Sequence, residues 1–471
     1  MPPRHLDRLT AIDASFLAQE GPESHMHVGA LVIAEGPVPP YEEFLDSIRR
    51  RLHLVPRYRQ RLAFPPASSG RPVWTDDTDF NLEYHVRYSA LPSPGSHEQL
   101  MHLCARVFSQ QLDRSKPLWE MWLIEGLEDG SFGLLTKAHH AMIDGIAGVD
   151  LATVLFDLGP EPAPVDDDLD PWVPEPDPNP VDLLTAGVAG MAKASASVTA
   201  KAFAALRKPE RALHEARVAA EGIGEIVWAG LNPAPETPLN VPIGPHRRYA
   251  AVVSKLADFK AVKNAFGGTV NDVVLAVVAG ALRRWLHGRG VRTEGMELRA
   301  LVPVSIRTQD ERGAAGNRIA AMRGPLPVWV EDPIARLAVV RGAMDDLKES
   351  KQAIGAEVLS NVQNFAPPTV LAQASRINFS TRLFNMLVTN VPGPQFPLYV
   401  QGRQMRAVFP IAFLPRNHAL SIAIMSYNGN MDFGLLGDYD AMFDLDELAA
   451  SIQSELAQLV ALAAAESGAR A

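Results

Sequence analysis

The sequence predicts two α/β layered domains joined by a linker. A chain of 471 residues exceeds the size at which a single hydrophobic core usually stops growing, so two domains are expected. Both halves mix apolar runs typical of strands with helical patterns. Between Pro160 and Pro180 the composition changes to proline and aspartate, which favours an extended segment without a core. We therefore predict an N-terminal domain over 1–159, a linker with connecting helices over 160–246, and a C-terminal domain over 247–471.

The composition is that of a globular protein and excludes several functional classes. The chain is 47% hydrophobic and 21% charged, with a formal net charge of −10. This acidic balance argues against a broad nucleic-acid interface, although the cluster Arg49 to Arg51 could still meet phosphates. The single cysteine, Cys104, predicts no internal disulfide and a reducing compartment. No secretory signal or uncharged stretch of spanning length is visible, so we expect a soluble or peripheral protein.

The N-terminal half contains strands, helices and one hairpin. The hairpin joins two apolar runs across Asp129-Gly130 and leads directly to His139. Ser96 has the N-cap preference expected at the start of a helix. The other expected elements are strands over Met26–Ala34 and Phe80–Tyr88 and a helix over Tyr41–Leu52.

The C-terminal half repeats this mixture. Thr269 is expected to cap a long apolar helix that continues to Trp285, with Asn271 and Asp272 at its head. A hairpin is expected across Asn428-Gly429. The other expected elements are strands near Tyr249–Val253, Leu301–Ile306 and Met386–Val391, and helices over Asp258–Phe266, Pro333–Ser350 and Leu445–Ala465.

The strongest candidate for chemistry is the adjacent pair His139 and His140. An imidazole takes and returns a proton near neutral pH because its unperturbed pKa is about 6.5. Asp144 is a plausible N-cap and Gly145 a first helical residue, so the pair is expected on a strand-to-helix turn. Histidines at a strand end can also simply be satisfied by backbone carbonyls, and the flanking sequence must decide between the two interpretations.

Four sequence blocks, in this order, point to one family. They are Pro117-Leu118-Trp119, the HHxxxDG segment from His139 to Gly145, Asn271 to Ala276, and Val388 to Pro394; the opening Ala14 to Leu17 also fits. With these blocks, nearly the whole chain resembles the bacterial wax ester synthase/acyl-CoA:diacylglycerol acyltransferases, within the superfamily of CoA-dependent acyltransferases.

This resemblance implies a fold and a mechanism. Each half should be a domain like chloramphenicol acetyltransferase, with the active site in a tunnel at their interface. His140 should be the general base for direct attack of an alcohol on the acyl-CoA thioester. Asn271 is the candidate donor to the oxyanion. Acyl-CoA should be the co-substrate, with no cofactor or metal, and diacylglycerol the acceptor; a long-chain fatty alcohol or a hydroxylated polyketide lipid is the alternative.

The sequence leaves the roles of several residues open. Asp144 either relays charge to His140 or holds the turn through a salt bridge and cap. His139 either lines the tunnel or braces its neighbour. Pro117, Leu118 and Trp119 either line a substrate channel or pack in the core, and Asp272 either contacts substrate or is a helix N-terminal charge.

Two other functional classes compete with the acyltransferase interpretation. The first is a metal site formed by His139, His140 and Asp144. The second is a lipid-binding protein that keeps the fold without turnover. An apolar stripe from Leu184 to Leu206 further predicts a cytoplasmic protein associated peripherally with the inner membrane face or lipid droplets.

Overall fold

The computed structural model describes residues 7–66, 70–142, 156–161, 172–185, 232–305, 319–349 and 379–470. The strands are β1 Asp7–Arg8, β2 His27–Ala34, β3 Gln60–Ala63, β4 Val73–Asp76, β5 Val86–Ala90, β6 Trp119–Glu125, β7 Phe132–His139, β8 Arg247–Lys255, β9 Leu298–Ser305, β10 Ile319–Leu326, β11 Met386–Pro392, β12 Tyr399–Val400, β13 Arg403–Ile411, β14 Leu420–Tyr427 and β15 Asn430–Asp438. The helices are α1 Ala11–Gln19, α2 Tyr41–Arg51, α3 Leu82–His85, α4 His97–Phe108, α5 Leu256–Phe266, α6 Val270–Gly288, α7 Pro333–Glu349 and α8 Leu445–Arg470.

Two six-stranded sheets form the body of the molecule. The first has the order β12-β13-β2-β7-β6-β5 and the second the order β10-β9-β11-β14-β15-β8. A small three-stranded sheet, β1-β4-β3, lies outside both. Helices pack on the sheets, and the predicted α/β layered fold is confirmed.

The predicted domain boundaries do not separate the strands of the two sheets. Strand β8 begins at Arg247, the start of the predicted C-terminal domain. Strands β12 and β13, however, belong to the first sheet, where β13 pairs antiparallel with β2 from Met405↔Ala34 to Ile411↔Gly29. The C-terminal half therefore completes the N-terminal sheet. Without β13, one edge of β2 would be unpaired.

Most of the helices and hairpins were predicted correctly from local sequence signals. Ser96 and Thr269 both form capping boxes, at α4 and α6 respectively. Asn428 and Gly429 both have positive φ, at 43° and 83°, as a two-residue hairpin turn requires. The strand predicted over Phe80–Tyr88 was wrong in its first part, because Asn81 caps the short helix α3 before β5 begins.

Helix α6 is the centre of the C-terminal core. Its residues from Asp272 to Leu282 are all buried, and α8, α7 and α5 pack against it. By length and composition α8 could cross a membrane, as could the bent pair α5 and α6 taken as one span. This is weak evidence for a span, because core helices of soluble proteins pass the same test, and Leu448, Ile452 and Leu459 of α8 are buried in the core.

A buried carboxyl joins the two sheets. Asp432 on β15 accepts a hydrogen bond from the backbone N–H of Val408 on β13 at 2.8 Å, close to the register shift between Met405 and Ala407. Burial raises the pKa of Asp432 to about 7, although the Val408 bond and the charge of Lys255 oppose this shift. The group is therefore costly to ionise where it holds the sheets together.

We predict that this carboxyl makes stability depend on pH. Between about pH 4 and pH 7 the folded state keeps a proton that the unfolded state has lost, so the free energy of unfolding should fall as pH rises through this window. Asp432→Asn keeps an acceptor oxygen but cannot ionise, so its melting temperature should fall less between about pH 5 and pH 8 than that of wild type. Asp440→Asn, at an exposed site, is the control. Equal pH dependence in all three proteins would contradict this role.

Candidate active site

The histidine pair lies at the end of a central strand. Strand β7 pairs with β2 on one side, His27 opposite His139, and with β6 on the other. The backbone N–H of His140 donates to the carbonyl of Met26 at 2.9 Å, and that of Met142 to the carbonyl of His139 at 2.9 Å. The chain therefore turns sharply at the strand end. Asp144 and Gly145, and with them the expected helix start, lie outside the described residues.

The imidazole of His140 is enclosed by aromatic rings. It stacks on Phe16 of α1 with ring centroids 3.9 Å apart and an interplanar angle of 23°. Phe413, which follows β13, meets it edge-on at 5.4 Å. Phe379 packs against both phenylalanines, at 6.3 Å and 5.9 Å. The ring of His140 therefore lies between residues from the two ends of the chain.

This enclosure keeps His140 neutral. Burial lowers its pKa to about 4, with a smaller contribution from the neighbouring His139. Its buried Nδ1 has no hydrogen-bond partner among the described residues. A neutral imidazole with a lone pair can accept a proton, which is the requirement for a general base.

His139 points into a different environment. It is fully buried; its Nδ1 accepts a hydrogen bond from the Ala141 N–H at 3.0 Å, and its Nε2 lies 3.5 Å from Oε2 of Glu20. The guanidinium of Arg114 also binds this carboxylate, through Nε at 2.6 Å and through Nη2. Burial raises the pKa of Glu20, but the hydrogen bonds and charges of His139 and Arg114 outweigh burial and lower it. These are the contacts of a residue that holds the turn.

Two further sequence blocks meet in the C-terminal half. Asn390 of β11 donates through Nδ2 to Oδ1 of Asn271 at 3.2 Å. This hydrogen bond uses the side-chain oxygen of Asn271 and not its amide N–H groups. Asp272 has a capping role: its Oδ2 accepts from the Thr269 N–H at 2.7 Å, and its own N–H donates to Thr269 Oγ1 at 3.2 Å. Among the described residues, no hydrogen bond joins Asn271 to His140.

Comparisons with known proteins identify the family. The family model described as wax ester synthase/diacylglycerol acyltransferase catalytic domain matches residues 9–274, and its C-terminal domain matches residues 315–460. The chain belongs to the wax ester synthase/diacylglycerol acyltransferase family. The resemblance inferred from the sequence blocks is thereby confirmed, and the protein is an acyltransferase.

Relatives and solved structures agree with this assignment. A probable diacylglycerol O-acyltransferase of Mycobacterium tuberculosis is 36% identical over 97% of this chain and 96% of its own length. A second probable diacylglycerol O-acyltransferase from that organism is 34% identical over 96% of this chain and 99% of its own length. The wax ester synthase/diacylglycerol acyltransferase of Marinobacter aquaeolei has a TM-score of 0.70 at 28% identity, covering 97% of this chain and 100% of that one.

The shared fold extends beyond this acyltransferase family. The first condensation domain of the calcium-dependent antibiotic synthetase matches with a TM-score of 0.57 at 16% identity, over 98% of this chain and 97% of that one. At this identity the match shows the fold alone. It agrees with the two-domain acyltransferase fold expected from the sequence.

The Pro117-Leu118-Trp119 block of this acyltransferase is buried. The Trp119 indole donates to the Tyr58 carbonyl at 2.8 Å, and its ring stacks on His85 at 4.7 Å. The Leu118 carbonyl accepts from the His139 N–H at 2.9 Å. These contacts are those of core packing beside β7.

Four contributors to the site were not singled out from the sequence: Glu20, Arg114, Phe379 and Phe413. Glu20 lies three residues after the Ala14 to Leu17 block, and an acidic residue so close to a recognised block was the only available signal. The phenylalanines carry no local signal, because their role depends on tertiary contacts.

No group of three or more histidine, cysteine, aspartate or glutamate residues that could hold a metal is found within the described ranges. Of the three ligands considered for such a site, His139 and His140 are described and Asp144 is not. The two described rings have separate surroundings, one beside Glu20 and the other between phenylalanines.

The aromatic surroundings of His140 predict the pH profile of this acyltransferase. Because the pKa of His140 is lowered to about 4, the base should stay unprotonated throughout the neutral range. We expect kcat/KM to be flat between about pH 6 and pH 8 and to fall only as pH approaches 4. A profile with half-maximal kcat/KM near pH 6.5, the value for an ordinary histidine, would contradict this environment.

Proposed function

We propose that this acyltransferase transfers a long-chain acyl group from acyl-CoA to diacylglycerol and so makes triacylglycerol. The observation that carries the proposal is the neutral imidazole of His140 in contact with the rings of Phe16 and Phe413. An apolar, dry surrounding suits substrates with long hydrocarbon chains. The names of the mycobacterial relatives support diacylglycerol as the acceptor.

The proposed reaction is direct transfer without an acyl-enzyme. The acceptor hydroxyl attacks the thioester carbonyl while His140 takes its proton. The C–O bond forms, the C–S bond breaks, and the proton passes from the imidazolium to the departing CoA thiolate. Acyl-CoA is the co-substrate, and the reaction requires no other cofactor.

The tetrahedral intermediate places negative charge on the former carbonyl oxygen. A donor aimed at this oxygen contributes about 3 kcal/mol in a water-excluded site. Asn271 is the proposed donor, since Asn390 binds its side-chain oxygen and thereby orients its N–H groups. Asp144 retains its two proposed roles, charge relay or support of the turn.

A second acceptor class is a long-chain fatty alcohol, which would give a wax ester. The Marinobacter structure, whose name includes wax ester synthase, supports this alternative. A hydroxylated lipid alcohol would be handled by the same chemistry. The three acceptors differ in shape but present the same nucleophile to His140.

The first test measures turnover of a long-chain acyl-CoA with diacylglycerol and, in parallel, with hexadecanol. His140→Ala should lose at least about 10³-fold in kcat with either acceptor, and Asn271→Ala about 10²-fold. His53→Ala, at an exposed histidine, is the matched control. Near wild-type turnover by a folded His140→Ala protein would refute the base assignment, and turnover of hexadecanol alone would select the wax ester reaction.

We also propose that the protein works in the cytoplasm on the inner membrane face or on lipid droplets, because its substrates partition into lipid. The predicted apolar stripe is described only as far as residue 185, and Leu184 is exposed there. Val173 and Val181 in the same connecting region are 80% and 64% exposed. Exposed apolar side chains favour interfacial binding.

This association can be measured by co-sedimentation. The purified protein should pellet with phosphatidylglycerol vesicles, and Val173→Asp with Val181→Asp should reduce the bound fraction several-fold. Thr185→Asp adds a charge in the same connecting region without removing an apolar side chain, and it serves as the control. Equal recovery in the supernatant with and without vesicles would contradict the proposal.

A further inference from the structure

A short acidic strap lies against the small three-stranded sheet. It contains neither helix nor strand, and its residues are Trp172, Val173, Pro174, Glu175, Pro176 and Asp177. Two of its hydrogen bonds reach residues 99 and 116 positions earlier in the chain. In the first of them, the Glu175 N–H donates to Oδ2 of Asp76 on β4 at 3.0 Å. The strap is therefore positioned by tertiary contacts.

The two ends of the acidic strap each cover an arginine beside β3. At one end, Oδ2 of Asp177 accepts from Nη2 of Arg61 at 2.6 Å. At the other end, the guanidinium of Arg59 lies 4.5 Å from the ring centroid of Trp172. The Trp172 ring also meets Phe80 edge-on at 6.2 Å. A carboxylate and an indole of the strap thus occupy the places where these two arginines could meet another molecule.

The two arginines have few other acceptors. The Nε of Arg59 is buried and has no hydrogen-bond partner within the described ranges. The Nε of Arg61 lies 3.8 Å from Oδ1 of Asp77, which is too long for a hydrogen bond, and that oxygen accepts from the Asp79 N–H at 3.2 Å. Displacement of the acidic strap would therefore leave N–H groups of both guanidiniums available for an anion.

The contacts that hold the acidic strap are of kinds that contribute little at accessible sites. The side chains of Arg61 and Asp177 are 24% and 48% exposed, so water and salt screen their attraction. Trp172 is half-buried, where a cation–π contact is also weak. Pro174 has no backbone N–H and cannot donate to a strand. The strap is therefore bound by a few side-chain contacts that a competing anion can replace.

An anionic membrane surface offers a replacement for each of these contacts. A guanidinium binds a phosphate through two parallel hydrogen bonds, and an anionic leaflet concentrates phosphates at a negative potential. An indole is favoured at the boundary between water and lipid. Val173, next to Trp172, is 80% exposed and can enter the same layer. The groups on both sides of this contact are thus suited to bind lipid once they separate.

We propose that the acidic strap is a cover that anionic lipid displaces. Lipid phosphates replace Asp177 at Arg61 and bind the N–H groups of Arg59, and the released Trp172 and Val173 enter the membrane interface. This inference rests on the proposed membrane association and supplies its lipid class and its contact residues. Away from an anionic surface, Asp177 keeps Arg61 occupied, so the enzyme binds firmly only where phosphates are dense enough to compete.

The first test measures co-sedimentation with phosphatidylglycerol vesicles. Asp177→Asn weakens the acidic strap and keeps both arginines, so half-maximal binding should need about fivefold less lipid than in wild type. Asp182→Asn is the matched control, because it removes the same charge where the carboxylate accepts from the Asn179 N–H instead. An equal gain in both variants would show an effect of net charge alone and overturn the proposal.

A double-mutant cycle tests whether Asp177 acts through Arg61. Arg61→Gln should raise the lipid concentration needed for half-maximal binding, because one contact to phosphate is lost. Asp177→Asn added to Arg61→Gln should bring no further change, since both substitutions remove the same ion pair. Additive effects would contradict the proposal.

Tryptophan fluorescence follows the movement of the acidic strap itself. Vesicles of phosphatidylglycerol with brominated acyl chains quench tryptophans that enter the lipid, so they should quench wild type more than Trp172→Phe. Equal quenching of the two proteins would overturn insertion of Trp172. Inorganic phosphate is the third arm: if it alone makes Trp172 accessible to acrylamide, the arginines select free phosphate and the lipid proposal is overturned.

These measurements separate the acidic strap from membrane association as such. Wild type that pellets with phosphatidylglycerol vesicles as readily as Asp177→Asn would leave the association standing and refute the strap. If neither wild type nor Asp177→Asn pellets at any lipid concentration, the association itself is refuted.

Discussion

The pairing of β13 with β2 is the constraint on which the active site depends. It adds a strand from the C-terminal half to the sheet that carries the histidine pair. Two residues beyond this strand, Phe413 meets the ring of His140 edge-on, while Phe16 stacks on that ring. Asp432 secures the same strand from the second sheet. The environment of His140, the candidate base, is therefore a property of the assembled halves, since neither half supplies both rings.

His139 and His140 differ in the charged groups that surround them. Beside His139, the guanidinium of Arg114 compensates the charge of the buried Glu20 carboxylate, which makes burial of this carboxylate tolerable. Around His140 the described ring contacts are with Phe16 and Phe413, and burial without a described charge partner disfavours the imidazolium. The two adjacent residues thus have different surroundings, because His139 is the last residue of β7 and His140 already lies in the turn that follows.

The fold and the family were largely predictable because their signals are local. Capping residues such as Ser96 and Thr269, and the Asn428-Gly429 turn, act within a few residues and were read correctly. Strand β13 was missed: Pro410 within it argues against a paired strand, and its partner β2 is remote in sequence. The helix over Leu82–His85 was missed because its alternating side chains imitate a strand.

The sequence by itself determined the layered α/β class, the order of the motif blocks and the candidate base, His140, since residue identity and short-range spacing carry that information. Only the tertiary structure decided which groups surround that base. The contact of Phe413 with His140 and the support of His139 by Glu20 both arise between distant segments. The physical reason is that burial and electrostatic environment, which set a pKa, depend on the packed neighbours of a residue rather than on its sequence neighbours.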